Sequence, residues 1–315
     1  MQSRPLGQSG LAVPPIVLGG NVFGWTIDQA ASFRLLDAAV EMGLSAIDTA
    51  DVYSRWVPGH AGGESESIIG AWLKARGRRH DVLILTKCGM EMPDGKGLSA
   101  AWIETAVEAS LKRLGTDVID LYQAHRDDEA TPLAESLSAF QRLIGAGKVR
   151  AIGASNYSAA RLAEALSVSA ANGLPRYQSV QPLYNLMERG IEADLLPLCA
   201  REGIGVIPYS SLASGFLTGK YRSEADLGKS VRGPRSAGKY LTPKGHTVLA
   251  ALDRIAAQHA VTPAQVALAW MRAKRGMTAP IASATSLAQL RELAAAGSLA
   301  LTAAELALLD AASAA

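Results

Sequence analysis

Asp48, Tyr53, Lys87 and His125 follow one another in the first half of the chain, and their chemistry is complementary. A free phenol has a pKa of about 10 and is a poor proton donor at neutral pH. An ammonium beside it stabilises the phenolate and lowers that value. A buried lysine needs a counter-charge, which an aspartate supplies. An imidazole next to the phenol can hydrogen-bond a substrate oxygen. Such a set polarises a carbonyl and hands it a proton while a hydride reaches its carbon. Taken singly, each residue has an ordinary structural reading. Asp48 reads as a turn or helix-capping residue, Tyr53 as a half-buried loop aromatic, and Lys87 as a surface or ion-paired lysine. His125 reads as part of a solvated His-Arg-Asp-Asp string. The chemical reading requires the fold to bring all four to one place.

The elements that would do this alternate. Strands are expected at 15–18, 44–47, 82–86, 118–123, 149–153, 179–182, 204–208 and 279–282, where short apolar runs are rich in β-branched residues. Helical spacing is expected at 30–42, 63–75, 100–114, 132–144, 159–171, 191–201, 247–259, 263–274, 287–295 and 303–312. Gly43, Gly115 and Gly147 act as helix or turn stops. Apolar strands joined by helices imply a parallel sheet covered by helices, and eight such units at this length fit a closed (β/α)8 TIM barrel. The opening PLGQSGLAV lies outside the repeat and reads as an N-terminal β-hairpin turning at Gly7–Gly10, placed to plug the barrel bottom. Additional helices lie toward the C-terminus. No linker interrupts the pattern, so residues 1–315 are expected to form one domain. The stretch 221–241 is polar and without periodicity, and loops of that length in compact domains are usually functional. In a barrel, chemistry belongs at the C-terminal ends of strands. Asp48 and Tyr53 follow the second strand, Lys87 the third and His125 the fourth, so three successive strand ends deliver the set to one rim.

Composition excludes several classes. Lysine plus arginine number 31 against 29 acidic residues, a formal net charge of +2 with no basic face suited to nucleic acid. The one local basic cluster, 229–239, is too short for duplex binding. Cys88 and Cys199 have neither CxxC nor metal spacing, His60, His80, His246 and His259 sit in no ligand pattern, and no metal is expected. No signal-peptide pattern and no apolar run of spanning length is visible, so a cytoplasmic protein without membrane or nucleic-acid partners is expected.

Longer motifs carry a resemblance. Asp-Thr-Ala-Asp-Val-Tyr at 48–53, the run from Ser110 to His125, the run from Gly147 to Tyr157, and Leu-Ala-Ser-Gly-Phe-Leu-Thr-Gly-Lys-Tyr at 212–221 are similar to those of the aldo-keto reductase superfamily, over essentially the whole chain. The bacterial branch, and the branch related to potassium-channel β subunits, look closer than the human steroid-reducing branch. The resemblance implies an NAD(P)-dependent oxidoreductase acting on an aldehyde, ketone, sugar or alcohol. It makes Tyr53 the general acid/base, Lys87 and Asp48 its electrostatic support, and His125 the group that orients the carbonyl.

It also implies an extended dinucleotide across the barrel mouth. No GxGxxG opens a helix, and the spacing of Gly19-Gly20-Asn21-Val22-Phe23-Gly24 does not suit a Rossmann turn. Gly20, Asn21 and Asp48 are nevertheless expected to touch the cofactor. Ser155, Asn156 and Gln181 would bond the nicotinamide carboxamide, and Tyr209 would stack under its ring. Ser210, Ser211, Leu212, Ser214 and Gly215 would wrap the pyrophosphate, with Lys220 and Arg235 neutralising its charge. Ser283, Thr285 and Gln289 would meet the adenosine end. There Thr285 stands where the family pattern has a basic residue or Ser, and Leu293 where it has Asn. NADP(H) is placed ahead of NAD(H) by family habit, although no cation occupies position 285.

Trp25, Tyr53, Trp56 and His125 would line the substrate mouth, with Arg126 on its rim. A sugar, a pyridine carbinol or an α-oxo aldehyde would suit such a lining. Two other readings are open: a nicotinamide-sensing partner protein on the same scaffold with little turnover, and a barrel hydrolase. The latter needs a second carboxylate facing Asp48 across a substrate bond, and no strand end supplies one.

Overall fold

The computed structural model describes residues 2–314. The chain opens with an antiparallel hairpin, β1 (Arg4–Pro5) and β2 (Ala12–Val13). The alternating units follow: β3 (Val17–Gly19), α1 (Gln29–Glu41), β4 (Ala46–Asp48), α2 (Glu64–Arg76), β5 (Leu83–Cys88), α3 (Ala100–Leu114), β6 (Ile119–Ala124) and α4 (Leu133–Gly145). Next come β7 (Val149–Ser155), α5 (Ala159–Asn172), β8 (Ser179–Gln181), α6 (Leu195–Glu202) and β9 (Gly205–Val206). The last are α7 (Pro243–His259), α8 (Pro263–Ala273), β10 (Ile281–Ala282), α9 (Leu287–Ala296) and α10 (Ala303–Ala314).

The parallel sheet runs in the order β10-β3-β4-β5-β6-β7-β8-β9. Thr278 and Ala279 donate backbone N–H bonds to the Val206 carbonyl, and Ile281 donates to Pro208, so the two outer strands meet in a (β/α)8 barrel. Two apolar layers result. A large one fills the space between barrel and helices, and a smaller one fills the barrel itself. Val17, Ala46, Leu85, Leu121, Ala151 and Ile207 belong to the inner layer, joined by Leu6, Leu11 and Val13 of the hairpin. The hairpin therefore plugs the bottom, as its sequence suggested. Gly7 makes the fit: its φ is +57°, and a Cβ there would stand 2.1 Å from the Gln178 carbonyl oxygen.

Most expected elements recur with ends moved by a residue or two, and three departures have local causes. The helix expected over 191–201 carries Pro197 in its interior. Instead a single 3-10 turn, Gly190–Glu192, precedes α6, which places Pro197 in the first helical turn, where a missing N–H costs nothing. Helix α7 starts four residues earlier than expected, because the Thr242 hydroxyl accepts from the Gly245 N–H and Pro243 holds the first helical position. The stretch 221–241 is not featureless: it folds into short helical turns at Glu224–Lys229, Gly233–Ala237 and Gly238–Tyr240. One-turn helices carry too little periodicity to be read from sequence. Among the described residues no helix is long and apolar enough to cross a membrane, and no group of three His, Cys, Asp or Glu could hold a metal ion.

Candidate active site

Strand alternation builds the site. Residues two apart on a strand share a face. One step above the inner apolar layer, Ala46 gives way to Asp48, Leu85 to Lys87, Leu121 to Gln123 and Ala151 to Gly153. Gln181 ends β8, and its side chain reaches the same layer. The barrel interior thus changes from apolar to polar at its upper rim. Gly153 leaves room for this layer: a Cβ there would approach the Ser179 hydroxyl at 2.4 Å and the Gln123 Cγ at 3.1 Å.

The four candidate residues meet there. Lys87 has no exposed surface, and its Nζ donates to Asp48 Oδ2 at 2.8 Å, to the Thr49 carbonyl at 2.8 Å and to the Tyr53 hydroxyl at 3.0 Å. All three ammonium donors are therefore used. Tyr53 OH lies 3.4 Å from Asp48 Oδ2. The other Asp48 oxygen accepts from Gln181 Nε2 at 2.8 Å and, more weakly, from Gln123 Nε2 at 3.4 Å. The His125 ring stands 6.0 Å from that of Tyr53, edge to face, and its Nδ1 is buried without a partner.

The electrostatics differ from the sequence expectation in one respect. Burial pushes the Tyr53 phenol up to about 12, and the pull of Lys87, opposed by Asp48, does not reverse it. Tyr53 is therefore a neutral phenol across the physiological range, with its proton in place. Burial alone would depress Lys87, but Asp48 and Tyr53 outweigh it and hold the ammonium above its usual value. Burial, reinforced by the charges of Lys87 and Arg126, keeps His125 well below the usual imidazole value, so its ring is neutral.

This cluster forms part of the wall of a cavity of about 1040 Å³ that runs along the barrel mouth. Trp25, Asp48, Tyr53, Trp56 and His125 line it, as do Asn21, Ser155, Asn156, Gln181, Tyr209, Lys220 and Arg235. The run Ser210, Ser211, Leu212, Ser214 and Gly215, together with Ser283, Thr285 and Gln289, lines the rest of the wall expected to hold a dinucleotide. Two of the expected residues lie off this wall. Gly20 is not on the wall: its N–H donates to the Asp48 carbonyl and its own carbonyl accepts from Ser65, so Gly19 takes the place instead. Arg126, expected on the rim, is exposed beside His125 and is not part of the wall itself; its charge acts on His125 and Tyr209.

The wall fits a large anionic cofactor. Ser210, Ala213, Ser214 and Gly215 all have positive φ, between 48° and 91°, which turns the backbone into a tight concave arc. Such arcs present N–H groups to phosphate oxygens. Lys220 Nζ would lie 3.2 Å from a Cβ at Gly215, so its charge sits beside the arc. Asn156 is pinned at both ends of its amide: Nδ2 donates to the His125 carbonyl at 2.9 Å, and Oδ1 accepts from Tyr209 OH at 2.8 Å. At the far end, the Thr285 backbone N–H and hydroxyl both donate to Gln289 Oε1, and Glu292 rather than a cation is close by.

Several residues escaped sequence reading. Gln123 supports Asp48 from a strand interior. Arg232 lines the cavity, although only its neighbour Arg235 had been singled out from the basic cluster. Behind Lys87 lies a second buried carboxylate, Asp51, whose two oxygens have no hydrogen-bond partner. Burial, with Glu66 nearby, raises its carboxyl to about 8. Glu66 accepts from the Thr86 hydroxyl and from Arg113 Nε. Because Asp51 binds its proton more tightly folded than unfolded, it lowers stability progressively as pH rises from about 4 to about 8. Asp51→Asn is expected to raise Tm by a few degrees at pH 8 and by less at pH 5. A gain of equal size at both values in thermal unfolding scans would contradict this account.

Comparison with known proteins finds a matching family model and several relatives. A family model described as the aldo/keto reductase family matches residues 15–314. The chain is 36% identical over 301 residues to the "Uncharacterized oxidoreductase YrpG" of Bacillus subtilis, covering 93% of this chain and 90% of that protein. It is 36% identical over 282 residues to a "Putative voltage-gated potassium channel subunit beta" of Schizosaccharomyces pombe, covering 85% of this chain and 79% of that protein. An aldo-keto reductase of Fusarium vanettenii is 32% identical over 327 residues, covering 93% and 86%.

Proposed function

The chain belongs to the aldo/keto reductase family, and on that premise we propose that it reduces a small carbonyl compound with NAD(P)H, Tyr53 giving the proton. The observation that carries this reading is the contact of a buried ammonium, Lys87, with the Tyr53 phenol at 3.0 Å and the Asp48 carboxylate at 2.8 Å, on the wall of a cavity large enough for a dinucleotide and a substrate. Bound in the arc at 210–215, with Lys220 beside it, the dinucleotide would supply the hydride. Tyr53 passes its proton to the carbonyl oxygen as the carbon is reduced. Lys87 stabilises the phenolate left behind. His125, neutral, donates a hydrogen bond to the same oxygen. Asp48 keeps Lys87 charged and in place, and Gln181 and Gln123 hold the Asp48 carboxylate in position. One domain carries all of these parts.

The neutral phenol favours reduction at physiological pH, because the acid form is already populated. Asp48 raises the phenol's pKa, so Asp48→Asn should lower it. The basic limb of kcat/KM against pH should then move to lower pH while overall turnover drops. A basic limb that stays put or moves up would show that Asp48 does not act on the phenol.

Dinucleotide choice is open to direct measurement. Family habit favours NADP(H), whereas Thr285, Gln289 and Glu292 offer a 2′-phosphate no cation. The test of the whole reading is titration of NADPH and NADH against intrinsic fluorescence, since Trp25 and Trp56 line the cavity, followed by a panel of aldehydes and alcohols with the tighter dinucleotide. Micromolar binding and turnover are expected; no response to either dinucleotide would end the proposal. The likeness to proteins named as channel β subunits favours one second reading, a nicotinamide-binding partner protein. It predicts tight dinucleotide binding with negligible steady-state turnover on the same panel.

A further inference from the structure

Among the described residues, Arg232 is the one guanidinium on the cavity wall with a buried N–H group left without a partner. Its Nη2 is buried and makes no hydrogen bond. Among the described residues no aspartate or glutamate pairs with it, and the charged-state partners that act on it are the phenols of Tyr221 and Tyr53. Burial lowers its hold on its proton from the ordinary arginine value. A guanidinium so placed is costly unless an anion arrives.

Its position says which end of the cavity the anion occupies. The guanidinium carbon lies 5.2 Å from the Trp25 ring centroid. Trp25 packs edge to face on Trp56 at 5.4 Å, and Trp56 on Tyr53 at 6.0 Å. Arg232 thus closes an aromatic chain that begins at the proton donor. Phosphate has its own cradle, the positive-φ arc at 210–215 with Lys220. The segment holding Arg232 is braced. Tyr221 OH contacts Ser230 Oγ at 2.5 Å, and the Arg232 N–H donates to Ser230 Oγ. Gly233 lets the loop close on itself, since a Cβ there would sit 1.9 Å from the Leu227 carbonyl oxygen. A preorganised guanidinium beside aromatic walls suits the two parallel hydrogen bonds of a carboxylate.

We infer that Arg232 reads a carboxylate on the substrate, so that the carbonyl compound reduced here carries an anionic group directed toward the Trp25 end of the cavity. This rests on the proposed reductase reading and narrows its substrate class. The hydride and proton balance is unchanged: the carbonyl carbon gains the hydride, its oxygen gains the Tyr53 proton, and the carboxylate takes no part in bond making.

Two matched pairs of probes test it. The first is 4-carboxybenzaldehyde against its neutral methyl ester, in steady-state reduction. The second is benzoate against benzamide, in calorimetric titration of the protein with and without saturating dinucleotide, which needs no turnover. The wild-type protein is expected to favour each acid by roughly tenfold or more, the scale of one charge-assisted pair. Arg232→Gln should erase that preference, chiefly through KM, leave the ester within about threefold, and leave the dinucleotide Kd within about twofold. Arg232→Lys should restore part of the preference. Equal loss on acid and ester together with a weakened dinucleotide Kd would overturn the inference and give the guanidinium to the cofactor. A wild-type protein that binds benzoate no better than benzamide would overturn it as well. Preference for benzoate without reduction of either aldehyde would uphold the anion site while sinking the reductase reading.

Discussion

Tyr53→Phe is expected to lower kcat for carbonyl reduction by about 10²–10⁴-fold, the usual contribution of a positioned proton donor, while the dinucleotide Kd stays within about twofold. The substitution removes one oxygen and leaves the ring, whose contacts with Trp56 and His125 are edge-to-face and survive. Lys87 keeps Asp48 and the Thr49 carbonyl as acceptors, so the buried ammonium is not stranded. The variant should therefore fold and bind as before, with Tm nearly unchanged. Single-turnover reduction and fluorescence titration on the same preparation separate the two effects. Retained turnover would remove Tyr53 from the mechanism. Retained folding with lost dinucleotide binding would show that its hydroxyl belongs to the binding site instead.

Lys87→Met has a different signature, because it damages both chemistry and stability. Without the ammonium, the Asp48 carboxylate is left buried with no opposite charge, only the amide donors of Gln181 and Gln123 and the long contact from the Tyr53 hydroxyl. Breaking a buried ion pair by removing one partner costs about 3–5 kcal/mol. For a chain of this size that lowers Tm by something of the order of 5–10 °C. Reduction should fall by about 10²-fold or more, since the phenolate formed at Tyr53 loses its nearest positive charge. Replacing both partners, as Asp48→Leu with Lys87→Met, separates the effects. An apolar pair needs no desolvation, so much of the lost stability should return while the activity should not. If the double substitution restored turnover, the pair would be structural and the catalytic reading wrong. If the single Lys87→Met left Tm unchanged, the pair would not be the buried contact described above.

Much of the site was legible before any coordinates because a barrel imposes two regularities. Strand residues alternate faces, and strand C-termini share a rim. Asp48, Lys87 and His125 could therefore be placed together from their positions after successive apolar runs. Tyr53 came with them because the loop from Asp48 is only five residues long. The hairpin plug was legible for a similar reason: a short Gly-bounded turn fell outside the strand–helix rhythm. The short helical turns in 221–241 and the early start of α7 were less so. They depend on single caps and one-turn hydrogen bonds, whose signal is local and weak.

The residue types and their spacing along the chain determined the barrel, the order of its strands and the set of groups that would face one rim. What they could not determine was the balance of opposing fields at a given atom. Whether the Tyr53 phenol is raised or lowered depends on burial competing with Lys87 and Asp48, and the three act over distances that only the folded barrel sets. The same holds for Arg232 and Asp51, ordinary members of a basic cluster and of a loop until packing strips their water and withholds a partner. Desolvation is a property of everything that surrounds a group, gathered from distant parts of the chain, and so it appears only in three dimensions.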